Sequence, residues 1–364
     1  MKLKTLAKQI TRKVGRLFFG KNVWLISDRG DMAGDNGEAL FMFLQNKPVK
    51  AYYAISKDSP DYIRLSAIGK VIPYGSLLFR FLLCVSDAYL SSYVVYMENH
   101  EETPQIFLQH GVTCSDISKY INGSSHSNFY IITSGNAEKN SFNEEQYKVR
   151  KENVWLTGLP RYDRLYNKPE KKITVSLTWR KDLLNMSKEK ITNSPYFKAY
   201  QSILEDDDLI TFLENHGYKL CFKIHPMMKE YDVFDCFHEN VELWNESYTD
   251  IFGKSDLLIT DYSSIAFDFA YLGKPVIYYQ FDEESFWNGS HSLSKGYFDY
   301  RRDGFGEVAT SYEELKAILC SYIENACAGK PVFLERVERF FAYRDKNNSE
   351  RVYHKVLELL KKKI

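Results

Sequence analysis

The sequence predicts an α/β protein with parallel sheets in two domains. Three observations lead there. The 364 residues exceed one ordinary core and suit two domains of roughly 150–200 residues each. Short apolar runs alternate with helical stretches in two successive series, the pattern of strand–helix–strand units. Nearly every apolar run stops at a polar cluster, and parallel α/β sheets bind ligands outside the carboxyl ends of their strands.

The first series opens with the strand "VWLIS" (23–27), a glycine-bearing loop and the helix "NGEALFMFLQN" from Asn36. It continues through "AYYAIS" (51–56), "DAYLSS" (87–92), "QIFLQ" (105–109), "FYIIT" (129–133) and "NVWLTG" (153–158). The Lys- and Pro-bearing "NKPEKK" (167–172) interrupts it and reads as a domain boundary. A second series follows: "ITVSLT", "YKLCFKI", "DLLIT" and "PVIYY". The chain therefore divides into a basic helix over 1–21, a first α/β domain over 22–168, a second over 169–345 and a C-terminal helix over 346–364.

Composition removes several classes. Hydrophobic residues at 44% and charged residues at 26% are those of a globular chain, which excludes wholesale disorder. Lys+Arg and Asp+Glu balance at 48 each, which argues against a nucleic-acid partner. Cys84, Cys114, Cys221, Cys236, Cys320 and Cys327 form no Cys-x-x-Cys pair and read as thiols of a reducing compartment, with no metal site. The most apolar stretch, "SLLFRFLLCV" (76–85), carries Arg80 and falls well short of the about 20 residues a spanning helix needs.

The amino terminus is distinctive. Residues 1–21 hold seven cations and no acid. Leu3, Leu6, Ala7, Ile10, Val14, Leu17 and Phe18 share one helical face, with Lys4, Lys8, Arg12 and Arg16 largely opposite. Such a helix suits an anionic membrane surface; the alternative is a helix packed on its own domain with a solvated basic face.

The strand-end clusters are Asp28-Arg29-Gly30, His110-Gly111, Ser134-Gly135-Asn136, Gly158-Leu159-Pro160-Arg161, Trp179-Arg180, His225-Pro226 and Asp261-Tyr262-Ser263-Ser264. Turn chemistry alone explains any one of them; their recurrence in both halves points to a ligand site. The phosphate-loop, dinucleotide and Gly-x-Ser-x-Gly signatures are absent. "LEDDDL" (204–209) precedes the helical "LITFLENHG" and reads as helix-start charge, not as an acidic metal motif.

Taken in order, "LQHGVT", "TGLPRYDRL", "SLTWR", "FKIHP", "TDYSSIAFDFAYLGKPVIYY" and the tail "RFFAYRDKNNSERVY" resemble the CDP-glycerol glycerophosphotransferase family of teichoic-acid and capsule polymer synthesis. The resemblance runs from about Trp24 to the end of the chain. It departs at Ser176-Leu177, where the family commonly has a small residue and a Pro. It implies a GT-B fold, two Rossmann-like domains around a cleft, with acceptor groups on the first and the nucleotide donor held mainly by the second. It further implies CDP-glycerol or CDP-ribitol as donor, a lipid-linked or polysaccharide acceptor, and a cytoplasmic protein peripheral to the inner face of the cell membrane.

Transfer of an alditol phosphate needs a base for the acceptor hydroxyl, positioning, and neutralisation of phosphate charge. His110 is the candidate base: imidazole titrates near neutrality, and Gly111 lets the backbone come close to a ligand. His225, at the matching strand end of the second domain, is the candidate phosphate donor or leaving-group acid. Either could instead be a hydrogen-bonded structural histidine. Arg180 offers a bidentate fork to phosphate, with Thr178 and Lys223 beside it. Asp261, Ser263 and Ser264 stand at a helix start, a seat for the donor diphosphate. There Asp261 can cap the helix, take a ribose hydroxyl or orient a neighbouring His. Asn36, Gly111, Arg161 and Asp163 are candidate acceptor or cleft residues, an ion pair between Arg161 and Asp163 being the alternative. No cofactor is implied, although a diphosphate donor can carry magnesium. A nucleotide-sugar glycosyltransferase and an idle scaffold of a polymer-assembly complex are the competing functions.

Overall fold

A computed structural model of the chain describes residues 2–94, 103–231, 233, 238–290 and 294–362. The side chains of residues 2–10 lie outside the described set, and so does Cys236. The chain forms two compact units. Unit 1 comprises Met1–Thr113, Ile117–Arg164 and Phe340–Ile364; unit 2 comprises Cys114–Asp116 and Leu165–Arg339. The contact division falls at Leu165, and the chain takes up unit 1 again at Phe340, within which helix Asn348–Lys361 lies.

Unit 1 is a seven-stranded sheet of β1 (Val23–Ser27), β2 (Lys50–Ile55), β3 (Lys70–Pro73), β4 (Ala88–Ser91), β5 (Gln105–Phe107), β6 (Phe129–Thr133) and β7 (Val154–Leu156). Its order is β3-β2-β1-β4-β5-β6-β7, with every pair parallel. Helices on both faces cover such a sheet, so its central strands read as unbroken apolar runs. Val23, Trp24, Leu25 and Ile26 of β1 accordingly have no exposed surface. The order reverses between β1 and β4, the switch point where doubly wound sheets leave a crevice.

Two helices matter for the site and the surface. Helix α1 (Lys2–Phe19) lies against helix Leu77–Val85: a Cβ on Gly15 would sit 2.2 Å from Val85 Cγ1, so only glycine permits the approach. Arg16 pairs with Asp87 at 2.7 Å. Leu17 and Phe18, of the predicted apolar face, are 84% and 80% exposed, so that face does not cover unit 1 there. Helix α2 (Asn36–Leu44) starts over the end of β1, where the buried Asp28 carboxylate accepts from the N–H groups of Gly37 at 2.7 Å and Glu38 at 3.1 Å. The Tyr53 hydroxyl at 2.8 Å and that of Ser92 also donate to Asp28. Burial, then the charge of Asp35, push the Asp28 pKa up to about 6.

Unit 2 holds a six-stranded sheet of β8 (Lys172–Val175), β9 (Lys219–Phe222), β10 (Glu242–Leu243), β11 (Ser255–Thr260), β12 (Val276–Tyr279) and β13 (Gly306–Ala309). The order is β10-β9-β8-β11-β12-β13, again all parallel, with the switch between β8 and β11. The acidic run behaves as read: Asp206 caps helix Asp207–Asn215, accepting from Leu209 N at 2.9 Å.

Candidate active site

In unit 1 the His110 turn follows β5. Gln109 takes φ 60° and Gly111 φ 155°, the first a left-handed conformation that a non-glycine residue adopts only when held there. It is held: Gln109 Nε2 donates to Ile132 O at 2.5 Å and to Glu138 Oε1 at 2.9 Å, and Asn36 Nδ2 donates to Gln109 O at 2.7 Å. Glu138 is buried, which raises its pKa, and it also accepts from Thr113 N at 3.0 Å on the far side of the turn.

Arg161 completes the frame. Its Nη1 donates to His110 O at 2.8 Å and pairs with Asp35 at 3.0 Å, while its N–H donates to Asn36 Oδ1 at 3.0 Å. Asn36, His110, Gly111 and Arg161 are therefore gathered at one end of the sheet. Asp163 is elsewhere in role: its carboxylate accepts from Asn348 N at 2.9 Å and Ser349 N at 2.7 Å, capping helix Asn348–Lys361. It forms neither the expected Arg161 ion pair nor part of the His110 cluster, a correction with a simple cause: the helix start supplies unmet N–H groups.

The His110 ring stacks on Tyr93, centroids 4.8 Å apart at 13°. Although His110 has exposed surface, the groups around the imidazole strip its hydration, and this lowers its pKa; Asp35 opposes the shift and Arg161 adds to it. The Ser92 backbone beside the ring also opposes the shift. A neutral, oriented imidazole is what a general base requires.

In unit 2 the switch point is closed by charge pairing. Arg180, 2% exposed, donates from Nη2 to Asp261 at 2.9 Å and from Nε to Asp282 at 2.7 Å. It also donates to the carbonyl of Thr178. Burial works against the charge, but Asp261 and Asp282 more than offset it and raise the Arg180 pKa. Asp261 further accepts from Thr178 N at 2.8 Å and Oγ1 at 2.7 Å. Arg180 and Asp261, expected among the donor-side residues, face each other here, because a buried charge must be paired inside the protein. Nor do Asp261 and Asp282, engaged by a guanidinium, fit a magnesium ion. Among the described residues no group of three or more His, Cys, Asp or Glu is placed to hold a metal.

Lys223 is likewise turned inward, its Nζ donating to Trp244 O at 3.2 Å and Glu246 O at 2.9 Å. Ser263 and Ser264 are half-buried at the start of helix Ile265–Tyr271, and Ser264 makes no side-chain capping bond. His225 is half-buried after β9, and its Nδ1 accepts from Met227 N at 3.2 Å, which leaves the neutral ring's proton on Nε2 as a donor.

Comparison with known proteins places this geometry. Minor teichoic acid biosynthesis protein GgaB of Bacillus subtilis (strain 168) is 36% identical over 387 residues, covering 99% of this chain and 42% of that protein. Teichoic acid ribitol-phosphate polymerase TarK of Staphylococcus aureus is 28% identical over 224 residues, covering 58% of this chain and 42% of that protein. The chain therefore spans about two fifths of the length of these relatives. The structure of the wall teichoic acid polymerase TagF superposes with a TM-score of 0.71 at 16% identity, covering 100% of this chain and 97% of that one. That likeness, with two doubly wound parallel sheets, makes the fold GT-B. The family model for CDP-Glycerol:Poly(glycerophosphate) glycerophosphotransferase matches residues 9–358, and the chain belongs to that family.

Proposed function

We propose that the chain transfers a glycerol-phosphate or ribitol-phosphate unit from a CDP-alditol to a hydroxyl of a membrane- or polymer-linked acceptor. His110 carries the reading: an imidazole held towards its neutral form, stacked on Tyr93, in a turn braced by Arg161 at the end of a strand. It takes the proton of the acceptor hydroxyl as that oxygen bonds to the distal phosphorus. The bond from phosphorus to the bridging oxygen breaks, and CMP leaves. His225 donates from Nε2 to a phosphate or leaving oxygen. Thr178, Ser263 and Ser264 stand beside the diphosphate in this reading, and Arg180 is a positioning residue for Thr178 through Asp261, which accepts from the Thr178 N–H and hydroxyl. The family description and a solved TagF structure with CDPG support a CDP-alditol donor.

The acceptor lies at a membrane in this reading, at the inner face where cytoplasmic nucleotide donors meet a lipid-linked chain. Exposed Val14, Leu17 and Phe18 on α1 and Leu77 on the helix against it support this, with exposed Lys13 and Lys21 nearby in sequence. No helix among the described residues is long and apolar enough to cross a membrane. The test is a donor screen with purified protein and a membrane acceptor fraction. CMP released from CDP-glycerol or CDP-ribitol supports the proposal; a nucleoside diphosphate released from a sugar nucleotide instead makes it a glycosyltransferase.

A further inference from the structure

Unit 2 carries a cavity of about 240 Å³, several water volumes at about 30 Å³ each. It lies off the carboxyl end of β12, one strand beyond the β8/β11 switch: Gln280, the residue after β12, lines it together with Trp287, Lys295 and Arg301. Gln280 is 3% exposed, and its Nε2 has no hydrogen-bond partner. A buried donor left unmet calls for an acceptor from outside the protein. Lys295 is held by Glu283 at 3.2 Å, whereas the exposed Arg301 guanidinium has no carboxylate within salt-bridge distance among the described residues and interacts with Glu314 at longer range. The wall therefore offers an amide donor, a bidentate cation outside any close ion pair and an indole face.

Cys114 and Ser115 also line the cavity, four and five residues along the chain from His110. This segment is fastened to the cavity rim. Asp116 N donates to Ser294 O at 3.0 Å, and Gly296 approaches so closely that a Cβ there would lie 2.4 Å from Cys114 O. The cavity thus includes residues that follow the candidate base along the chain, and Arg301 offers it a guanidinium for an anion. A phosphate ester meets Arg301, hydroxyls meet Gln280, and the C–H face of a polyol meets Trp287.

We infer that this cavity binds the phosphate-bearing polyol end of the acceptor, a subsite distinct from the nucleotide; the inference rests on the transfer reading above. Calorimetric titration of the wild type with sn-glycerol 3-phosphate, with and without saturating CMP, tests it against Gln280→Leu and Arg301→Glu. Glycerol 3-phosphate binds in both conditions, and each variant weakens it about tenfold or more, as loss of a charge-assisted or otherwise unmet hydrogen bond does. In turnover the acceptor KM rises by a similar factor, and the CDP-alditol KM stays within about twofold. Absence of binding, displacement by CMP, or variants that lose CMP rather than glycerol 3-phosphate would overturn the assignment, the last making the cavity a nucleobase subsite. If no CDP-alditol is turned over while glycerol 3-phosphate binds and both variants lose it, the transfer reading fails and the cavity assignment stands.

Discussion

Arg180 Nη2 lies 2.9 Å from Asp261 Oδ2 with both side chains shut away from solvent. The pair ties the segment after β8 to the end of β11, and Asp282 extends the tie to the segment after β12. Three strand ends that face the proposed donor are thus fixed to one guanidinium.

Breaking that tie on one side leaves a buried guanidinium short of a partner. Asp261→Ala is expected to cost about 3–5 kcal/mol of stability, the usual toll of an uncompensated buried charge. Arg180→Lys should fail as well, because a point ammonium cannot serve two carboxylates and a carbonyl in one plane. Urea denaturation and the donor KM read both effects. An Arg180→Lys variant with unchanged stability and unchanged donor KM would contradict the strut.

His110→Ala should abolish transfer while leaving affinity for a non-reactive CDP-alditol analogue within about threefold, since the base acts on the acceptor oxygen and not on the nucleotide. The pH profile follows from the sign of the shift. Loss of hydration lowers the His110 pKa below 6.5, so kcat/KM should rise with pH through an inflection below that value and stay high at neutrality. Tyr93→Ala removes the stacked ring and should move the inflection up towards 6.5. An inflection unmoved by Tyr93→Ala, or a His110→Ala variant that turns over normally, would place the base elsewhere.

His225→Ala and Ser264→Ala should each weaken the donor complex or slow the phosphoryl step. A hydrogen bond to a charged phosphate is worth about 1.5–3 kcal/mol, or roughly ten- to a hundredfold. Unchanged donor affinity together with an unchanged rate in both would move the phosphates away from the ends of β9 and β11.

Exposed Lys13 and Lys21 should contribute about 1 kcal/mol each at an anionic surface, so their double reversal to Glu should weaken vesicle binding roughly thirtyfold or more. Raised salt should partly mimic the reversal. Arg16 is spared because it is engaged by Asp87 at 2.7 Å. Co-sedimentation indifferent to both charge and salt would remove α1 from membrane contact.

Much of the architecture was legible because apolar runs that end in polar residues mark buried strands and their ligand-facing tips. The positions of His110, His225 and Asp261 just past β5, β9 and β11 were read that way. What escaped was pairing at a distance. Asp282 stands 102 positions from the arginine it holds, and nothing local in "YYQFDEE" distinguishes it from a solvated acid. The carboxylate partners of Arg180 could not be read from the sequence, because a fork suits phosphate and carboxylate alike. Gln109 and Glu138, which fix the His110 turn, are ordinary polar residues until the fold brings them to 2.9 Å. The edge strands β3, β10 and β13 were missed too; β10 has only two residues, below any periodic signal. The return of the chain at Phe340 is set by the contact of Ala342 N with Ser134 O at 3.0 Å, a tertiary bond without a sequence mark.

The central claim is that the bond broken joins the distal phosphorus to CMP. Single-turnover reaction of CDP-glycerol and of CDP-ribitol, each labelled at the β-phosphorus, with a membrane acceptor fraction tests it directly. The account predicts that with at least one donor the label enters the acceptor as a phosphodiester while unlabelled CMP is released, and that His110→Ala stops both. Label retained on the nucleotide as CDP while the acceptor gains the alditol alone would contradict it.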